Sequence, residues 1–275
     1  MRRGDLLTDW ANYWRAGDRP LEAMHAHFEQ HVYHRHSHDT YSFGLTESGA
    51  QAFTCRGAAR TSATGMVMAF NPDEPHDGHS AVEHGFTYRM VHIGPDLIAG
   101  VLADIAEHPA GLPLFAEPVL DDPVLFDALR RVHGTLREGN RLAQDEALVD
   151  AVRALVHRGA TRPPGVAQRP AVRAEVRRAR EYLDAAFAED VSADELSTVA
   201  GCSRFALHRG FVAAYGFAPS DYQRQLRLRA ARRLLDTGRT PAETAAEAGF
   251  ADQSHLTRWF KRYYGITPSV YQYAK

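Results

Sequence analysis

The feature that most constrains this chain is a repeat near its C-terminal end. Leu207, Arg209, Phe211, Tyr215, Gly216, Pro219, Ser220, Tyr222 and Gln223 recur 49 positions later as Leu256, Arg258, Phe260, Tyr264, Gly265, Pro268, Ser269, Tyr271 and Gln272. Nine identities at one offset mark a duplicated structural unit. Ala200-Gly201 recurs at an offset of 48, as Ala248-Gly249, which implies one extra residue in the second turn. Each copy opens on a helix-start signal. Ser192-Ala193-Asp194-Glu195 is a capping box, in which the serine oxygen caps an orphan N–H and the glutamate reaches back three positions. Thr240-Pro241-Ala242-Glu243 is another, with proline at the first helical position, where its missing N–H costs nothing. Each box predicts a short helix ending in Ala-Gly, and a longer helix follows: Ser203 to about Ala214, and Asp252 to about Tyr263.

Short helix, glycine-containing turn and longer helix make the helix-turn-helix plan, whose second helix enters the DNA major groove. Leu207 and Phe211, like Leu256 and Phe260, are spaced i, i+4 and should face a core. Phe205, His208 and Arg209 then project from another face, as do Ser254, Thr257 and Arg258, with Arg204 and Gln253 at the N-terminal ends. Arginine and glutamine can read base edges bidentately, on guanine and adenine respectively. Lys261 and Arg262 suit phosphate contacts. An ordinary bundle with solvated polar faces explains one such unit equally well; the duplicated pair favours a DNA reader.

Residues 249–272, GFADQSHLTRWFKRYYGITPSVYQ, closely resemble the signature of AraC/XylS-type transcription regulators, and the resemblance extends over about 171–273. It implies seven helices: two helix-turn-helix units joined by a long central helix, here about Pro219 to Asp236. Gly210, inside the first recognition helix, departs from the larger apolar residue usual in the family. A helix-interior glycine costs about 1 kcal/mol, which puts the rigidity of that helix in question.

The first half of the chain is built differently. Residues 20–95 hold short apolar runs, such as Tyr41 to Leu45 and Met66 to Phe70, between turn clusters such as Glu47-Ser48-Gly49 and Asn71 to Pro75. That pattern predicts a small barrel or sandwich. Helical periodicity begins at Pro95 and runs to Glu107. It resumes at Asp122-Pro123 with Val124, Leu125, Ala128, Leu129, Val132 and Leu136, and again over Ala143 to His157 with Leu148, Val149, Val152, Leu155 and Val156. These helices are expected to pack on the barrel, with a homodimer interface as a second use of their apolar surface that the resemblance suggests. Residues 159–170, GATRPPGVAQRP, have linker composition. The charge changes there too: residues 1–167 carry 15 Lys+Arg and 22 Asp+Glu, a balance of −7, and residues 168–275 carry 17 and 12, a balance of +5. A basic half is compatible with a polyanion partner and weak evidence alone.

Histidine is concentrated in the first half, 13 of 15. His34-Arg35-His36-Ser37-His38 looks like the start of a cupin barrel, with Gly65 to His76 as the second cupin-like stretch. In metal cupins an H-x-H pair, a glutamate and a later histidine bind a divalent metal. Here Ser42 or Phe43 stands where the glutamate is expected, and His76 is about one residue out of register. The incomplete set argues against a catalytic metal site. Three readings stay open: histidines that serve barrel structure, histidines that contact a small-molecule effector, and histidines that bind a metal. The region resembles the cupin-like sensory domain of the regulator family. That resemblance implies an effector pocket lined by His36, His38, Tyr41, Phe43 and His76.

Cys55 and Cys202 form neither a ligand pattern nor a disulfide framework, and the N-terminus shows no apolar signal segment, so a cytoplasmic protein is expected. No G-x-S-x-G elbow or glycine-rich phosphate loop occurs. The expected fold is α+β: a cupin-like β-barrel with packed helices over 1–158, a linker at 159–170, and an all-α DNA-binding domain over 171–275 with units at about 192–214 and 240–263. The expected function is a sequence-specific transcription regulator and not an enzyme, with no cofactor and no metal. Its partners are double-stranded DNA, a small-molecule effector and, if it activates, RNA polymerase. The alternative is a metal-dependent cupin enzyme with a helical appendage.

Overall fold

The structure, a computed structural model, describes residues 9–105, 111–138, 141–160 and 173–274. Most of the expected linker lies outside those residues. The chain falls into two compact units that divide near residue 166.

The first unit is an antiparallel β fold. Its strands are β1 (Trp10–Arg15), β2 (Leu21–Phe28), β3 (Tyr33–His36), β4 (Tyr41–Cys55), β5 (Ala58–Ala63), β6 (Val67–Phe70), β7 (His76–Ser80), β8 (Phe86–Ile93) and β9 (Val119–Leu120). The long strand β4 joins two sheets. Its first half pairs with β8 and β6, and its second half with β5 and β7. The strands β1 and β2 extend the first sheet beyond β8, and β3 extends the second beyond β7. Glu47-Ser48-Gly49, expected as a turn, is instead a bulge inside this continuous strand, where the register to β8 shifts between Thr46 and Ser48. Turn-forming residues also suit bulges, which bend a strand and increase its twist. Gly49 is required there: its φ is +72°, and a Cβ would lie 2.1 Å from the Gly85 carbonyl oxygen.

The helices α1 (Pro95–Ile105), α2 (Pro123–Glu138) and α3 (Arg141–Ala154), with a π-helical turn at Leu155–Gly159, cover the outer face of the first sheet. Leu21, Phe43, Leu45, Val91 and Ile93 from the strands meet Leu125, Leu129, Val132, Leu148 and Val152 from the helices in one buried cluster. Burying a side chain of this size contributes about 1.5–3 kcal/mol. Val124, counted in the helical periodicity, is exposed. The buried faces of α2 and α3 therefore pack on the sheet, as expected.

The second unit holds seven helices among the described residues: α4 (Ala174–Ala185), α5 (Ala193–Ala200), α6 (Arg204–Tyr215), α7 (Pro219–Asp236), α8 (Pro241–Glu247), α9 (Gln253–Tyr264) and α10 (Pro268–Tyr273). The central helix α7 packs on α4, α6, α8, α9 and α10, so both helix-turn-helix pairs, α5–α6 and α8–α9, share it as a spine. The two capping boxes differ. At Thr240 both arms form, with Glu243 accepting from the Thr240 backbone N–H at 2.9 Å. At Ser192 only one arm forms: the serine oxygen caps the Glu195 N–H at 3.1 Å, while the Glu195 carboxylate accepts from the Tyr182 hydroxyl of α4. The tertiary partner takes the glutamate that local sequence assigns to the cap.

Candidate functional site

The two recognition helices, α6 and α9, turn the expected residues inward and outward. Leu207, Phe211, Leu256 and Phe260 are buried. Arg204, His208, Arg209, Gln253, Ser254, Arg258, Lys261 and Arg262 are exposed, and Thr257 is half-buried. The side chain of Phe205 lies outside the described residues. Asp252 caps the start of α9 through the His255 N–H at 2.6 Å, and Ser203 caps α6 through the Ala206 N–H at 3.3 Å. These caps orient the first turns, which carry Arg204 and Gln253. Arg204 forms an exposed ion pair with Asp194 of α5. An exposed pair of this kind is worth little and gives way easily to a phosphate or a base.

The repeat reaches further upstream than its sequence identities show. Arg180, Leu183 and Asp184 on α4 stand 52 positions before Arg232, Leu235 and Asp236 on α7. In the first copy the Arg180 guanidinium lies 5.2 Å from the Tyr215 ring centre, beside Tyr222, and Tyr222 donates to Asp184 at 2.6 Å. In the second copy Arg232 lies 5.2 Å from Tyr264 and from Tyr271, and Tyr271 donates to Asp236 at 3.3 Å. Gln223 donates to the Phe187 carbonyl and Gln272 to the Arg239 carbonyl, again a pair 52 apart. Unequal loops between the helices change the offset, so a scan at 48 or 49 does not reach α4. Most of the identities therefore hold the scaffold together. On the recognition helices, Arg209 and Arg258 are the identical pair that faces outward.

Gly210, which cast doubt on the first recognition helix, has a packing reason. A Cβ there would lie 2.8 Å from Cγ2 of Val176 on α4. The glycine admits α4 closely against α6. The equivalent position in α9 is Trp259, whose ring lies 3.8 Å from the guanidinium of Arg224 on α7.

In the first unit, the structure brings together three of the five residues expected to line an effector pocket. His36 on β3 and His76 on β7 are cross-strand partners, with ring centres 4.5 Å apart, and His38 is 4.8 Å from His36. All three are buried between the two sheets. One ligand nitrogen from each lies within 4.8 Å of the others. Tyr41 and Phe43 are not with them. Alternation along β4 turns these two rings to the outer face of the first sheet, where both pack on Phe115 and the Tyr41 hydroxyl donates to the Pro113 carbonyl at 2.7 Å. The same alternation turns Ser42 inward, to a 2.8 Å hydrogen bond with Nδ1 of His92 on β8. The His92 ring is 4.6 Å from His38. His92 is the residue that the sequence reading missed, because it lies on a neighbouring strand outside both cupin-like stretches.

Burial holds His36 well below the usual histidine range, with neighbouring His76 adding to the shift, and it pushes His76 down to about 4. Both rings are neutral at pH 7. His36 Nδ1 donates to the His34 carbonyl at 2.7 Å, and His76 Nδ1 donates to the Glu74 carbonyl at 2.8 Å. A carbonyl only accepts, so these bonds place the lone pair of each ring on Nε2. Phe70 stacks flat on His76, with ring centres 3.8 Å apart, and fixes its plane. Such a cluster can accept hydrogen bonds from a polar ligand or coordinate a cation.

Comparison with known proteins agrees with this architecture. Residues 20–156 match the model of the AraC-like ligand binding domain, and residues 196–274 match a helix-turn-helix domain model. The chain is 29% identical over 222 residues, 80% of each protein, to the uncharacterized HTH-type transcriptional regulator YbfI of Bacillus subtilis. It is 28% identical over 204 residues to the HTH-type transcriptional regulator RipA of Corynebacterium glutamicum, covering 71% of this chain and 60% of that protein. The crystal structure of ToxT from Vibrio cholerae shares the fold, with a TM-score of 0.52 over 97% of this chain and 98% of ToxT at 12% identity. Among the described residues no helix is long and apolar enough to cross a membrane. With a ligand-binding domain model over its β unit and a helix-turn-helix model over its helical unit, the chain belongs to the AraC family of DNA-binding transcription regulators.

Proposed function

We propose that this regulator reads a bipartite DNA site as a monomer through α6 and α9, in the cytoplasm, and that its barrel senses a small molecule. The observation that carries the reading is the exposed pair Arg209 and Arg258, set at equivalent positions of a duplicated scaffold. The linking helix α7 has 18 residues. At 1.5 Å per residue that is about 27 Å. With the width of the flanking helices added, this suits two major-groove segments about 34 Å, or about 10 base pairs, apart on one DNA face. Arg204, His208 and Arg209 address one segment, and Gln253, Ser254, Thr257 and Arg258 the other. Lys261 and Arg262 hold phosphates. If the protein activates transcription, RNA polymerase is its partner in the DNA-bound form.

His36, His38 and His76 are the polar groups available to an effector inside the barrel. Fold relatives are compatible with such a role: ToxT, which shares the fold at 12% identity, has been crystallised with an unsaturated fatty acid. Genome-wide footprinting with the purified full-length protein tests the DNA reading, and bipartite protected sites with about one helical turn between half-sites are expected. An absence of protected sites contradicts it. Genes beside the sites supply candidate effectors. The double variant H36A/H38A is expected to lose the response to the true one, and a variant that responds as wild type does moves the effector elsewhere.

A further inference from the structure

We propose that His36, His38, His76 and His92 form a binding site for a divalent transition metal of the zinc class, which clamps the two sheets of the barrel together. Three features of the structure support this. The first is convergence. The three histidines of the second-sheet side already bring ligand nitrogens within 4.8 Å of one another, and the His92 ring reaches His38 from the first sheet. Ligand nitrogens at about 2.1 Å from a tetrahedral metal stand about 3.4 Å apart. Closing the three-histidine span from 4.8 Å asks the ligand nitrogens to approach by roughly 1 Å.

The second feature is the outer shell. A metal-bound histidine characteristically donates its other ring N–H to a carbonyl or carboxylate, which fixes the tautomer and the ring direction. His36 and His76 do this, through the His34 and Glu74 carbonyls, and both point the Nε2 lone pair away from those bonds. His92 Nδ1 is held by the Ser42 hydroxyl at 2.8 Å, a partner that can either accept from the ring or donate to it. Ser42 is one of the two positions, with Phe43, where the sequence pattern of metal cupins calls for a glutamate. Ser42 and His92 are direct partners on β4 and β8, so the register brings the imidazole to that position.

The third feature is the donor set. Imidazole nitrogens as the only donors suit zinc, nickel, cobalt or copper rather than magnesium or calcium. The inference uses the same histidines as the effector reading, and the two fail separately. Loss of the effector reading shows in the DNA-binding response, and loss of this one shows in metal binding alone.

Cobalt(II) is the direct probe, because tetrahedral coordination gives it an intense visible absorption that octahedral coordination lacks. The chelator-stripped, full-length protein is expected to take up one cobalt with that absorption, to lose it to added zinc, and to melt at higher temperature once loaded. H36A, H38A and H76A should each lower cobalt affinity by at least roughly a hundredfold. H92A should keep measurable binding at lower affinity, with the cobalt band shifted because water takes the fourth position. The control is H79A, on the exposed face of β7, which should bind as wild type does. Any alanine variant that melts below wild type in chelator is replaced by asparagine at the same position, so that the comparison stays between folded proteins. Absence of a stoichiometric tetrahedral cobalt spectrum in the wild type overturns the site. So does a spectrum that survives in both H36A and H76A. A band and a cobalt affinity both unchanged from wild type in H92A remove His92 from it.

Discussion

In the first helix-turn-helix unit Arg180 lies over Tyr215 and Tyr222; in the second, Arg232 lies over Tyr264 and Tyr271, on rings arranged alike. Outward the two units diverge. The last turn of α9 carries Lys261 and Arg262, while the equivalent positions of α6 are Val212 and Ala213. Inward they diverge where α6 has Gly210 against Val176 and α9 has Trp259 against Arg224, and again where α9 buries Tyr263 and α6 exposes Ala214. The contacts that hold each recognition helix to its spine are alike in the two units, while the exposed faces differ at most positions other than Arg209 and Arg258. The second unit exposes two cations in its last turn that the first lacks, and the first depends on close approach of α4.

The shared scaffold predicts matched, large losses. Phe211→Ala and Phe260→Ala each remove a fully buried ring and should cost about 3–5 kcal/mol. Urea unfolding followed by far-UV circular dichroism checks this. Costs that differ by more than about a factor of two would break the equivalence. The divergence at Gly210 predicts a smaller loss of opposite logic. By helix propensity Gly210→Leu should gain up to about 1 kcal/mol. By packing it should lose about 1–3 kcal/mol, because Val176 is β-branched and has little freedom to yield. A net destabilisation in the same assay is expected, and a net gain would show that α4 is free to move away.

The outward divergence is a matter of affinity. Lys261→Ala should weaken binding to all sequences about equally and lower the slope of log affinity against log salt by about 1. Val212→Lys places a cation at the matching site of α6 and should raise the slope by a similar amount. Titrations over a salt series measure both. If Val212→Lys leaves the slope unchanged, the two helices do not approach the backbone in the same way.

Legibility followed the range of the interactions. The recognition helices and their inward faces were readable because i, i+4 spacing and caps are local, and duplication repeated the signal. The upstream extension to Arg180 and Asp184 was hidden because loops of unequal length change the offset. In the barrel, the grouping of His36, His38 and His76 could be read from motif spacing, but the facing of Tyr41 and Phe43 could not. Residues 37–40 lie between β3 and β4, outside both strands, so the alternation that fixes His36 does not carry across to residue 41. His92 was invisible for the same kind of reason: its relation to Ser42 is a register between strands fifty residues apart.

The claim at the centre of this account is that two equivalent arginines read two different half-sites. A randomised-site selection with wild type, Arg209→Ala and Arg258→Ala addresses it directly. Each substitution should relax base preference in one half-site, at a cost of about 1–3 kcal/mol where the contact is bidentate to guanine. The Arg209 effect is expected to be the smaller, because α6 lacks the phosphate anchors of α9. The relaxed positions should lie about one helical turn apart. Loss of preference at the same base pairs in both variants, or in neither, would contradict the two-groove reading.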